Sequence, residues 1–260
     1  MTFAKVSGHL YYLPLYFLAV RQASPVHTGL DILPITLTMI PASVVVGAIV
    51  TRVNRYRWAI WSGWAVSTLA CGLTILWDKN TSTAIWVITL IILGLGQGFI
   101  LNAQNFATQA ICLPRDEASA ASMYIFLRSF GGAIGVGIGG TVFQNVMKIK
   151  LVQLELPVEI ARDAESYIVT LMSLPASPFK THVIEAYVYG LHGVYGTLCG
   201  IAGLASFLSL FLKHFDMNKD LDSEHRLQEN RLSRILQTAG SKRSATGVEA
   251  KEEGPKVEQS

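Results

Sequence analysis

The chain has 260 residues and a mean hydropathy of +0.39; 51% of it is hydrophobic and 15% charged, against about 25% charged in soluble domains. Residues 213–260 hold 9 of the 21 Lys/Arg and 9 of the 18 Asp/Glu, so residues 1–212 keep only 12 basic and 9 acidic groups, clustered between long uncharged runs. A net charge of +3 spread in this way excludes the basic footprint of a nucleic-acid-binding protein.

A helix rises about 1.5 Å per residue, so about 20 apolar residues cross a bilayer core of about 30 Å. On that rule 1–212 divides into six spans. The first, 3–20, is short and carries Tyr11, Tyr12, Pro14 and Tyr16. Tyr12 and Tyr16 stand one turn apart, as interfacial anchors or as the wall of a binding pocket. The Arg21–Gly29 loop, with its Ser24-Pro25 turn signal, leads to the second span, 30–50. A basic turn bearing Arg52, Arg55 and Arg57 separates it from the third, 58–77, and DKNTST from the fourth, 84–112.

In the fourth span Gln97, Gln104 and Thr108 share one helical face, with Asn105 beside them and Asn102 and Gln109 further round. Amides facing lipid are costly, so this stripe is expected against neighbouring helices or a wet cavity. A short LPRDE turn with Arg115 follows, and then the fifth span, 118–147. Its one charge, Arg128, costs about 2.5–3.5 kcal/mol near mid-bilayer and should point inward or toward the cytoplasmic interface. Gly131, Gly135 and Gly139 recur every four residues there, widened by Gly132, Gly137 and Gly140, a surface that lets a second backbone approach closely.

The 148–185 connection is polar and contains LELPVEIARDAESY, either a surface-lying amphipathic helix or a flexible loop. The sixth span, 186–212, carries His192 and a second glycine series, Gly196, Gly200 and Gly203, with the same packing expectation. Residues 213–260 read as a largely disordered cytoplasmic tail. Arg52, Arg55, Arg57, Arg115, Lys213 and Lys219 fall on one side of a six-span arrangement, so both termini are expected in the cytoplasm and 148–185 on the opposite face. Cys71, Cys112 and Cys199 and the six histidines show no metal-ligand spacing, and no catalytic motif is present. The chain is expected to need no cofactor and to have no enzymatic activity.

The motifs resemble the major facilitator superfamily, specifically its fourteen-span drug:proton antiporter branch found in fungi. YYLPLYF at 11–17, SPVHTGLDILP at 24–34, RYR at 55–57, GLGQGFILNAQNFATQA at 94–110, FLRSFGGAIGVGIGGTVFQN at 126–145 and AYVYGLHGVYG at 186–196 follow the family's order and spacing. Asn54 stands where the family's GRYR turn has glycine, and Leu18 where glutamine follows YF. The resemblance implies an all-α membrane protein, a six-transmembrane-helix bundle equivalent to the C-terminal half of such a transporter. It also implies export of drugs, toxins or secondary metabolites, driven by protons. The expected partners are the lipid bilayer, a small amphipathic organic substrate, and a second bundle or another copy of the chain; nucleic acid is not expected. The expected location is the plasma membrane or an internal one. Tyr12, Tyr16, Gln97, Gln104, Asn105, Thr108, Arg128 and His192 are the candidates for lining a cavity. The competing reading is a truncated, non-transporting membrane protein.

Overall fold

The computed structural model describes residues 2–53, 55–112 and 116–211, and all regular structure among them is helical. Arg115 and the 213–260 tail lie outside the described residues. Helix α1 (Thr2–Leu15) runs directly into a π-helical turn, Tyr16–Val20, just after its internal Pro14. Proline removes an N–H from the ladder, and a widened turn is one way the backbone absorbs that loss. α2 (Pro25–Val53) begins at Pro25, whose fixed φ suits a first helical turn, so the expected loop to Gly29 contracts to four residues, 21–24. α3 (Arg57–Thr74) and α4 (Thr83–Ile111) follow. α5 (Glu117–Gln153) is 37 residues long, about 55 Å, and continues beyond the expected end at 147.

Two short helices, α6 (Glu159–Arg162) and α7 (Ala164–Ser173), occupy the connection to α8 (Pro178–Ser209). α8 starts well ahead of 186 because Ser177 caps it, accepting the Lys180 amide, with Pro178 next in line. Neither short helix is a free surface segment: Ile160, Ala161, Ala164, Ile168 and Leu171 are buried in the same core as α1 and α8.

Among the described residues four helices (α2, α4, α5 and α8) are long and apolar enough to cross a membrane, where six spans were expected. Their outer faces explain which solvent the fold requires. Val26, Leu30, Leu33, Leu37, Ile40 and Val44 form an exposed stripe along α2, and Ile125, Phe126, Leu127, Phe130, Ile134 and Ile138 do the same on α5. Apolar stripes of that length exceed what a water-soluble surface carries, and hydrocarbon accepts them at no penalty. The chain is an integral membrane protein.

Glycine sets the spacing inside. A Cβ added at Gly94 would lie 2.6 Å from the Ile35 carbonyl oxygen, and one at Gly98 2.7 Å from that of Met39, both on α2. One at Gly96 would lie 2.7 Å from the Ser67 nitrogen on α3. α4 is therefore held backbone to backbone on two sides. α5 meets α1 through Gly132, Gly135 and Gly139, all buried: Gly132 faces Ser7, Gly135 lies near Gly8, and Gly139 abuts the Tyr12 ring. The packed register thus uses Gly132 where Gly131 was expected; Gly131 is only half-buried. The expected packing of Gly196 and Gly200 is not found, since both are exposed with nothing within 4 Å of an added Cβ. On α8 the close approaches are at Gly190, against Phe143 and Met147, and at Gly193, against Val146.

Candidate functional site

A polar side chain within a lipid-embedded bundle needs a partner, and in an all-helical fold the second lone pair of a backbone carbonyl is the commonest one to hand. The chain uses it repeatedly. Tyr12 Oη donates to Val136 O at 3.0 Å, and Tyr16 Oη to Asp78 O at 2.9 Å. His192 Nε2 contacts Trp77 O at 2.7 Å; the carbonyl only accepts, so Nε2 carries the proton. Asn102 Nδ2 donates to Ser43 O at 2.7 Å, Tyr124 Oη to Leu101 O at 3.2 Å, and Trp61 Nε1 to Ser209 O at 2.9 Å. Each bond ties one helix to another or to the turn after α3.

These bonds divide the expected cavity residues into two groups. Tyr12 and Tyr16 are 2% and 1% exposed, packed against Phe143 and Trp77. They sit in the core, lining neither of the clefts described among these residues. Gln97 is buried in the α3–α4 seam, its Nε2 donating to Ser67 Oγ at 3.1 Å. His192 and Tyr16 clamp the 77–78 turn, with Arg21 adding a bond to Thr81 O at 3.0 Å. The second group stays accessible. Gln104, Asn105, Thr108 and Gln109 are half-buried on the last turns of α4, with Gln109 Nε2 3.4 Å from Asn105 Oδ1. Arg128 is exposed on α5, one turn beyond Tyr124, which bridges to α4. Gln104, Asn105 and Thr108 thus share the last turns of α4, and Arg128 stands on α5, which meets α4 through the Tyr124–Leu101 bond.

Arg52 closes α2 and is exposed, as is Arg55; Arg57 opens α3 with its guanidinium over the Trp61 ring. The sequence reading passed over His9, which is 1% exposed, with Nδ1 3.6 Å from Cys71 Sγ and its ring 5.0 Å from that of Tyr195. It also passed over Gly94 and Gly98, although their four-residue spacing was visible in the sequence.

Residues 1–136 match the sequence profile of the Major Facilitator Superfamily. The chain belongs to that family. This facilitator chain is 37% identical over 224 residues to "MFS transporter L2" of Phoma sp., an alignment covering 85% of the chain and 38% of that protein. It is 30% identical over 229 residues to "Efflux pump FUS6" of Gibberella fujikuroi, covering 85% of the chain and 41% of the pump. It is 28% identical over 207 residues to "Citrate exporter 1" of Yarrowia lipolytica, covering 79% and 31%. The facilitator chain thus spans about two fifths of the length of the first two relatives. Their names are those of transporters, not enzymes.

Proposed function

We propose that this chain is one half of a proton-coupled exporter of small amphipathic organic molecules, seated in the plasma membrane or an internal membrane. The observation that carries the reading is its kinship, over 85% of its length, with proteins named as a transporter and an efflux pump. Alternating access needs two bundles that rock about a midplane site. In this reading the helices of this chain supply one wall, and a second bundle, from a longer polypeptide or another copy, supplies the other. The strip of Gln104, Asn105, Thr108 and Arg128 is the polar part of that wall, amides orienting the substrate and the guanidinium attracting anionic groups. Protons are the coupling ion.

The test uses yeast lacking its own drug pumps, expressing the chain alone or joined to the N-terminal portion of the Phoma relative. Accumulation of a panel of amphipathic dyes and fungal metabolites is followed with and without a protonophore. Lower accumulation in the joined form alone, abolished by the protonophore, is the expected result. No reduction in either form refutes export; export that persists with the protonophore refutes proton coupling.

A further inference from the structure

Where the turn after α2 enters α3, Arg55, Arg57, Trp58 and Trp61 line a cleft of about 380 Å³. Two guanidinium groups and two indoles share this concavity, and among the described residues its lining holds no acidic group. The Arg57 guanidinium carbon lies 4.6 Å from the centre of the Trp61 ring, a cation–π contact that holds the planar fork in one orientation. Trp61 is itself fixed to α8 through its bond to Ser209 O. Arg57 Nε is buried and finds no acceptor among the described residues. A buried donor left unmatched is costly, and an acceptor arriving from outside removes that cost.

The surroundings identify the acceptor. The cleft stands where the basic turn gives way to the uncharged 58–77 run, so it lies level with the lipid headgroups. Trp58 and Trp61 are each 36% exposed, as interfacial indoles are. The asymmetry of basic residues assigns this end to the cytoplasmic side, whose leaflet carries the anionic lipids. A guanidinium fork matches the oxygen spacing of a phosphate.

We propose that this cleft is a binding site for the phosphate-bearing headgroup of an anionic phospholipid. Arg57 and Arg55 clasp the phosphate, and the two indoles lie along the glycerol and upper acyl region. The site is independent of whether the chain exports anything.

The full chain reconstituted in phosphatidylcholine tests this by quenching of tryptophan fluorescence with brominated phosphatidylserine or brominated phosphatidylcholine. Trp64, Trp77 and Trp86 are buried, so the quenchable signal should come from the cleft and vanish in W58F/W61F. Brominated phosphatidylserine should be preferred. R55Q should reduce the preference about fivefold and R55Q/R57Q about 25-fold, at the usual contribution of a basic residue near an anionic surface. Arg55 is exposed, so R55Q keeps the test valid even if the double variant fails to fold. Millimolar inorganic phosphate should leave the preference unchanged. Equal quenching by the two lipids, a preference that survives R55Q, or displacement by inorganic phosphate would overturn the assignment.

Discussion

Replacing Gly94 with alanine places a methyl where the backbone of α2 already stands. The new Cβ would fall 2.6 Å from Ile35 O and 3.1 Å from Thr38 Cβ, whereas a tolerable carbon–oxygen contact is about 3.3–3.6 Å. No rotamer change relieves a clash with a carbonyl, so α4 must retreat by roughly 0.7 Å. Overpacking of this kind costs about 1–3 kcal/mol. Alanine also gains up to about 1 kcal/mol of helix propensity, but that gain is the same at Gly196, where an added Cβ meets nothing within 4 Å. The difference between G94A and G196A therefore isolates the steric cost, worth roughly 2–12 °C in melting temperature for a chain of this size. G94A/G98A should lose less than the two single losses added together, since one retreat of α4 accommodates both methyls. Melting of the detergent-solubilised chain can be followed with a thiol-reactive fluorogenic dye in a C112S/C199S background, because those two cysteines are partly exposed whereas Cys71 is buried until the bundle opens. Equal melting temperatures for G94A and G196A would show that α4 is not seated on α2 as described.

The same dye assay checks two further expectations, and limited proteolysis a third. Y12F should cost about 0.5–1.5 kcal/mol for the lost bond to Val136 O, and Y12A about 3–5 kcal/mol, because it also empties the space between Gly139 and Phe143; equal losses would mean the ring contributes nothing. A double-mutant cycle of Q97A and S67A should give a coupling of about 0.6 kcal/mol, and no more than about 1.7; strict additivity would dismiss the bond between α3 and α4. Y16F/H192F should speed protease cleavage within residues 78–82 more than either single change, because two of the side chains that clamp this turn are then gone; cleavage unchanged from wild type would refute the clamp.

Much of the architecture was legible because lipid imposes a simple rule: long uncharged runs become helices, and charges mark their ends. Helix starts were less legible. Pro25 and Ser177-Pro178 are initiation signals that the hydropathy rule ignores, so α2 and α8 begin earlier than the apolar runs suggest. Glycine spacing identified candidate faces but not neighbours. Gly131 and Gly132 both fit a helical stripe with Gly135 and Gly139, and the position of Ser7 on α1 selects Gly132. Gly196 and Gly200 obey the same spacing as Gly94 and Gly98, yet only the latter pair meets another helix. The polar residues were hardest to place. Tyr12, Tyr16 and His192 are satisfied by main-chain carbonyls, acceptors that every residue carries and that no side-chain pattern reveals.

The direct backbone contacts of α4 have a mechanical meaning. Rotamers are the bearings on which packed helices slide, and between α4 and its neighbours α2 and α3 glycine has removed them at the closest points. The trio should turn as one stiff wedge, transmitting a displacement at one end to the other with little slack. Slippage is left to the boundary where Tyr12, Phe17, Trp77, Phe143 and Tyr195 interleave large rings, a clutch of aromatic plates beside a welded block.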